Sequence, residues 1–272
     1  MVNFKDDPIL PNIVELRNVY QSYDNGRLVV IENMDLLIED KPFQGQFVVL
    51  LGMSGCGKST VLRYIAGLQK PSSGKVLIKD KEAGDDNRVN MVFQQYSSLP
   101  WMTVLENVAL GLKFKGVSKK EREEKAMEMI EWVGLKGHEN KYALYPLLSG
   151  GQLQRVAIAR SLIANPEILL MDEPFGALDV ETRQSMQILL LDIWQKFHTT
   201  IVFVTHDITE AVFLADDIYI MKKSPSRIVE HIKVDLPLNR SYEVKKSTRF
   251  IELEREVEEK LMNTLKNQAV SK

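Results

Sequence analysis

The stretch from Gly52 to Thr60 has the residue types and the spacing of a phosphate-binding loop. Its members are Gly52, Met53, Ser54, Gly55, Cys56, Gly57, Lys58, Ser59 and Thr60. The glycines let the backbone wrap with its N–H groups pointing inward, and the following helix adds the positive end of its dipole. Lys58 is expected to reach the β- and γ-phosphates, and Ser59, supported by Thr60, to give Mg²⁺ an oxygen ligand. The stretch therefore predicts a site for a nucleoside triphosphate.

A strand and a helix must hold this loop in place. The apolar run Phe47–Leu51 precedes it, and Leu62, Ile65 and Ala66 recur at helical spacing after it. A simple glycine turn between a strand and a helix would also fit these flanks. The eight-residue pattern between them favours the phosphate loop over that alternative.

Two adjacent acids follow a second apolar run. Residues 168–171 have the composition of a buried strand, and they end at Asp172 and Glu173. One acid at such a place can hold Mg²⁺ through water, and its neighbour on the other side of the chain can orient an attacking water. A third apolar strand, residues 200–205, ends at His206. A lone histidine there is more often structural, but the two preceding motifs favour a functional role.

A serine-glycine-glycine turn runs directly into a helical pattern that ends at Asn165-Pro166. The turn consists of Leu148, Ser149, Gly150, Gly151 and Gln152. It predicts a second helix N-terminus that is free to hold an anion. Taken alone, the turn is explained better as a simple helix cap.

The composition limits the kind of protein this can be. The chain has 272 residues, 44% of them hydrophobic, which is enough for a sizeable core. Its formal charge is −2, with acids and bases spread along the chain, so we expect no nucleic-acid partner. Cys56 is the single cysteine, which excludes an internal disulfide and favours a reducing cytosol. Residues 1–11 do not fit a signal peptide, and no apolar run is long enough to span a membrane.

Together and in this order, the motifs resemble those of the nucleotide-binding subunit of an ABC transporter, over about residues 12 to 240. The resemblance implies an α/β fold: a P-loop NTPase core with a mostly parallel sheet, an N-terminal antiparallel β-subdomain and a helical subdomain at about residues 96–165. Residues 1–11 would be an N-terminal extension, and residues 241–272 a C-terminal helical tail.

The resemblance also implies roles for single residues. Glu173 would be the catalytic carboxylate, His206 the switch histidine and Gln94 the glutamine that senses the γ-phosphate, with Gln95 as the alternative. Lys58 would complete the catalytic set, and Tyr23 would stack on the adenine. The Mg²⁺ ligands would be Ser59, Gln94 and Asp172.

Residues 148–152 would be the signature motif, acting on the ATP of a partner subunit, and residues 176–179 would be the D-loop, ending at Asp179. The chain departs from the family pattern at Met53, where proline is common, and at Gly176, where serine is common.

Partners follow from the same resemblance. Two copies would sandwich two ATP molecules, each held by the phosphate loop of one subunit and by Ser149 and Gly151 of the other. Permease subunits would receive the motion of this dimer at the cytoplasmic face of the membrane, and a solute-binding protein would complete the system.

Residues 99–104 and 227–237 most resemble importer ATPases for nitrate, sulfonates and taurine. An exporter or a lipid-trafficking complex stays open as the alternative, because the catalytic motifs do not distinguish it. The interval between Thr60 and Leu148 is too short for the coiled coils of DNA-repair relatives.

Two apolar features outside the motifs have two explanations each. Phe250, Leu253, Val257, Leu261 and Leu265 step at helical spacing, which predicts an amphipathic helix that packs on its own domain or, less simply, on a partner. Trp101 lies in a loop stiffened by Pro100, and it either folds into the helical subdomain or contacts a partner. The resemblance favours a membrane-subunit contact for Trp101.

Overall fold

The computed structural model describes residues 12–41, 44–94, 97–223 and 225–270. Within these ranges it contains ten strands: β1 (Val14–Tyr23), β2 (Leu28–Ile38), β3 (Phe47–Leu51), β4 (Ser73–Ile78), β5 (Lys81–Glu82), β6 (Asn90–Val92), β7 (Ile168–Asp172), β8 (Thr200–Thr205), β9 (Asp217–Lys222) and β10 (Arg227–Lys233). The same ranges contain seven α-helices: α1 (Lys58–Ile65), α2 (Val104–Phe114), α3 (Lys119–Trp132), α4 (Gly150–Leu162), α5 (Val180–Phe197), α6 (Ile208–Leu214) and α7 (Thr248–Val270).

The larger sheet has six strands in the order β10-β9-β3-β8-β7-β6. Strands β9, β3, β8, β7 and β6 run parallel, and β10 closes one edge antiparallel to β9. Every residue of β3, β7 and β8 is buried, as expected for apolar strands covered on both faces. Since Leu51 pairs with Thr205, and Asp172 with Val204, the carboxyl ends of these three strands meet at one edge.

The smaller sheet is antiparallel, with the order β2-β1-β4-β5. A turn at Asp24–Gly26 connects the paired strands β1 and β2. Side chains of this sheet share one buried cluster with Val61 and Leu62 of α1 and with Val48 and Leu50 of β3. Helix α1 therefore packs between the two sheets, which fixes the loop in front of it.

Helices α2, α3 and α4 pack on one another beside the larger sheet. Thr103 caps α2, because its hydroxyl accepts from the backbone N–H of Glu106. One face of α3 and the residue after it is apolar and buried: Ala126, Met129, Ile130 and Val133 are at most 9% exposed. The three helices follow the short strand β6, which ends at Val92.

The C-terminal helix α7 packs on its own chain. Phe250, Leu253 and Val257 are buried in the main core, and Leu261 packs partly against it. The side chain of Leu265 and residues 1–11 lie outside the described part of the chain. Of the two explanations for this apolar stripe, the structure supports packing within the subunit. None of the described helices has both the length and the apolar character that crossing a membrane requires.

Candidate nucleotide site

The loop between β3 and α1 needs its glycines for two reasons, backbone conformation and close packing. Gly55 and Gly57 have φ angles of +76° and +88°, in the left-handed region that side chains disfavour. At Gly52 a Cβ would lie 2.7 Å from the carbonyl oxygen of Met221 and 2.8 Å from Cys56 Sγ. The loop can therefore keep this tight path only with glycine at these positions.

Lys58 begins α1 with its side chain inside the loop. Its ammonium donates to the carbonyl oxygens of Gly52 and Met53 at 2.7 and 3.1 Å. It also lies 3.5 Å from Glu173 Oε1, although the lysine is only 3% exposed. The arrangement holds a cation at the positive end of a helix, which favours an anionic ligand.

Ser59 and Asp172 form the second part of the site. Ser59 Oγ donates to Asp172 Oδ1 at 2.9 Å and joins the start of α1 to the end of β7. Burial raises the pKa of Asp172, and the hydrogen bond from Ser59 opposes that shift. A hydroxyl and a carboxylate side by side are the oxygen donors that Mg²⁺ prefers. The described residues contain no group of three or more histidine, cysteine or acidic side chains that could hold a metal alone.

Glu173 and His206 form the third part. Glu173 Oε2 lies 3.0 Å from His206 Nδ1, and the glutamate backbone donates to the carbonyl of Val204 at 3.0 Å. The φ of Glu173 is +42°, an uncommon conformation for a residue with a side chain. Asp172 therefore contacts Ser59, whereas Glu173 contacts Lys58 and His206, so the two adjacent acids have different partners.

Three further predicted residues have contacts of their own in the structure, and Gln94 lies close to the segment that follows Glu173. A Cβ added at Gly176 would be 3.7 Å from Gln94 Nε2, so the predicted sensing glutamine lies against the D-loop. Gln95 is outside the described residues. Tyr23 ends β1 with 45% of its surface exposed, and its hydroxyl is 3.4 Å from Gln69 Nε2. Asp179 caps α5 by accepting from Thr182 N at 2.9 Å, and this hydrogen bonding lowers the pKa of Asp179.

The predicted signature motif starts α4 as a capped helix. Ser149 and Gln152 form a reciprocal capping box, and Leu148 is fully buried. Gly151 faces α5, because a Cβ there would be 2.4 Å from Thr182 Cγ2. Within the described chain, residues 148–152 make no hydrogen bond to Lys58 or to the acids beside it. The helix cap thus explains the local structure but leaves the N-terminal face of α4 apart from its own phosphate loop.

Ser226 supports the phosphate loop through the backbone of Cys56, and no local pattern in the sequence indicates this role. Its hydroxyl donates to the carbonyl oxygen of Cys56 at 2.5 Å, from a position that is 1% exposed. A Cβ at Gly57 would come within 3.3 Å of the same hydroxyl. Cys56 itself is buried, and burial raises the pKa of its thiol. The cysteine is therefore a packing residue of the loop.

These features define an ATP-binding cassette, and the chain belongs to the ABC transporter family, whose ABC transporter domain matches residues 33–176. An uncharacterized ABC transporter ATP-binding protein of Methanocaldococcus jannaschii is 45% identical over 249 residues, 91% of this chain and 88% of its own. The nitrate import ATP-binding protein of Synechocystis is 42% identical, covering 90% of this chain and 92% of its own. The taurine import ATP-binding protein of Pseudomonas syringae is 43% identical, covering 88% and 89%.

Solved structures confirm the predicted fold. A dimeric ATP-binding cassette bound to ADP and Pi, in a post-hydrolysis state, is 35% identical with a TM-score of 0.69, covering 82% of this chain and all of that chain. The cbiO1 protein of Clostridium perfringens, part of a transporter complex, has a TM-score of 0.72 at 24% identity, covering 89% and 94%. This chain is therefore an ATP-binding subunit of the ABC type.

Proposed function

We propose that this protein hydrolyses ATP with Mg²⁺ and that the reaction powers import of a small anion or organic solute of the nitrate, sulfonate or taurine type. One observation carries the catalytic part: Lys58, the Ser59–Asp172 pair and the Glu173–His206 pair meet at one edge of the sheet. Similarity to import ATPases for nitrate and taurine supports the choice of solute class.

Each group has a separate task in this proposal. Mg²⁺, held by Ser59, Asp172 and Gln94 with the phosphates, would offset negative charge on the transferred phosphoryl group. Lys58 neutralises charge on the β- and γ-phosphates. Glu173 accepts a hydrogen bond from the attacking water, and His206 contacts the γ-phosphate while its Nδ1 keeps the glutamate in place. Phosphoryl transfer depends mainly on such positioning and electrostatics.

The site would be completed by a second copy of the chain. The N-terminus of α4 lies apart from the phosphate loop of its own subunit, and a relative of known structure is a dimer. In the proposed dimer, Ser149 and Gly151 face the γ-phosphate bound to the partner, as a helix N-terminus can. Mixing Lys58→Ala chains with Ser149→Arg chains should then restore one intact site per heterodimer. Activity that stays at the level of the two separate variants would contradict shared sites.

The membrane partners would bind near Trp101, at the cytoplasmic face. This side chain is 69% exposed, and Asn107 holds the loop around it by donating to the carbonyl oxygens of Leu99, Met102 and Thr103. An aromatic side chain presented on a fixed loop suits a contact with a permease subunit. Co-purification from membranes, with partners identified by mass spectrometry, tests this part. Permease and solute-binding subunits support import, and an exporter or lipid-transfer subunit would favour the alternative.

The catalytic part is tested by Glu173→Gln. The amide keeps the shape but cannot act as a base, so phosphate release should fall by about 10²–10⁴-fold, while ATP binding and the ATP-bound dimer persist. The matched control is Glu167→Gln, since Glu167 precedes the same strand at its other end with its side chain 66% exposed. That control should retain wild-type turnover. Near-normal turnover of the Glu173→Gln protein would remove Glu173 from the proposed role.

A further inference from the structure

A cluster of polar side chains includes Thr205, the residue before His206. Its members come from four separate elements: Arg183 and Gln187 of α5, Thr205 of β8, Glu210 of α6, and Tyr242 and Lys245 of the turn before α7. Thr205 and Gln187 are 2% exposed and Glu210 is 7% exposed. Polar groups at this depth persist only where other groups satisfy them, so the cluster has a defined geometry.

The hydroxyl of Thr205 fixes the backbone on both sides of His206. Thr205 Oγ1 donates to Glu210 Oε2 at 2.8 Å and accepts from the backbone N–H of Asp207 at 3.0 Å. Asp207 Oδ1 in turn accepts from the backbone N–H of Glu210 at 3.0 Å. His206 therefore lies between two residues that this network holds, and its imidazole reaches Glu173 from there.

Glu210 connects this segment to two more distant parts of the chain. Its Oε1 accepts from Gln187 Nε2 at 3.3 Å, and Gln187 Oε1 accepts from the hydroxyl of Tyr242 at 2.6 Å. Arg183 Nε lies 3.8 Å from the same Oε1, and Arg183 Nη2 donates to the carbonyl of Leu178 in the D-loop at 3.2 Å. Glu210 is thus connected to the D-loop through Arg183 and to the C-terminal segment through Gln187.

We propose that Thr205 and Glu210 are positioning residues for His206, and that Tyr242 couples the C-terminal segment to them through Gln187. The proposal rests on the role in ATP hydrolysis proposed above for His206. Burial raises the pKa of Glu210, while the hydrogen bonds from Thr205 and Gln187 and the positive charge of Arg183 favour its charged form. The network does not touch the phosphate loop, so its loss should affect turnover and leave ATP binding intact.

The decisive substitution is Thr205→Val, which keeps the shape of the side chain and removes both hydrogen bonds. We expect kcat to fall by about tenfold or more, since each lost hydrogen bond is worth about that factor, and the KM for ATP to stay within about twofold. Thr205→Ser restores the hydroxyl and should restore kcat. Thr200→Val, at the opposite end of the same strand, is the matched control and should keep wild-type kcat; Thr200 Oγ1 accepts only a long bond, 3.4 Å, from Gln46 N.

Tyr242→Phe tests the link to the C-terminal segment, because it removes only the hydroxyl that reaches Gln187. A fall in kcat of about two- to fivefold is expected for this more distant hydrogen bond, again with little change in KM. A wild-type kcat for Tyr242→Phe would overturn the coupling of the C-terminal segment.

A second readout does not depend on hydrolysis. The chain has four histidines, so the His206 ring signals in an NMR spectrum can be assigned by comparison with His206→Gln. Thr205→Val should shift or broaden the His206 signals and leave those of the other three histidines in place. If the wild-type protein hydrolyses no ATP but these signals move, the proposed function fails and the positioning role stands. Unmoved His206 signals, a KM effect in place of a kcat effect, or no rescue by Thr205→Ser would each overturn the positioning role.

Discussion

A methyl group added at Gly151 should strain the contact between the signature motif and α5. The new Cβ would lie 2.4 Å from Thr182 Cγ2, whereas ordinary contact begins at 3.4 Å, so one side must move by about 1 Å. Overpacking of this kind costs about 1–3 kcal/mol. Replacing glycine in a helix returns about 0.4–1 kcal/mol through the unfolded chain. We therefore expect Gly151→Ala to lower the free energy of unfolding by about 0.5–2 kcal/mol.

The cause can be isolated with Thr182→Ser, which deletes the clashing methyl group. The remaining side-chain atoms of residue 182 would lie 3.8 and 4.0 Å from the new Cβ, which is normal contact. In this background Gly151→Ala should be neutral or slightly stabilising, giving a coupling of about 1–3 kcal/mol in the double-mutant cycle. Urea unfolding of the four proteins measures it without nucleotide. Gly84→Ala, where no atom lies within 4 Å, is the matched control and should change stability little. An equal cost of Gly151→Ala in both backgrounds would refute the clash.

Further substitutions test other parts of the structure. Leu253→Ala should lower the free energy of unfolding by about 2–5 kcal/mol, because this side chain of α7 is fully buried. Met262→Ala is the control and should change the free energy of unfolding little, because Met262 is exposed. Equal effects of the two substitutions in urea unfolding would show that α7 does not pack as described. Trp101→Ala should leave the melting temperature unchanged and keep ATP hydrolysis by the isolated subunit within a few-fold of the wild-type rate. It should nevertheless reduce co-purification with membrane partners. A large loss of stability would show that Trp101 is a core residue. Because burial raises the pKa of Cys56, the native thiol should react with a disulfide reagent at pH 8 far more slowly than the urea-unfolded chain, and equal rates would contradict its burial.

The sequence predicted the centre of the candidate site well, because there each functional residue is tied to a regular element. The loop before α1 and the acids after β7 follow strands whose apolar runs are unambiguous. The sequence also predicted separate roles for Asp172 and Glu173, and in the structure the two acids have different partners. Strand alternation does not apply to them, because β7 ends at Asp172 and Glu173 has a φ of +42°. Their contacts with Ser59 and His206 follow from the parallel sheet order, which brings the strand ends together.

Other parts could not be predicted, because their partners are distant and leave no local pattern. Ser226 supports Cys56 across 170 positions, and Tyr242 reaches Gln187 across 55. An acidic residue on a helix, such as Glu210, would ordinarily be assigned to the surface. Only the structure shows that its carboxylate accepts hydrogen bonds from Thr205 and Gln187 and lies near the charge of Arg183. The sequence also left undecided whether Trp101 is exposed, because hydrophobic periodicity does not apply to a side chain in a loop.

The place of β3 in the sheet has a consequence for how the chain is made. This strand carries the phosphate loop, but its two neighbours, β8 and β9, come roughly 150 residues later in the sequence. A ribosome adds about 5–20 residues per second, so Phe47–Leu51 leaves the exit tunnel about 8–30 seconds before either neighbour can pair with it. During that interval a wholly apolar strand has two unpaired edges. The side chains of the smaller sheet and α1 that share a buried cluster with β3 all precede residue 83, so they are the first partners that translation supplies to this strand. Ile168, Leu170, Val202, Val204 and Met221 complete the same cluster only later.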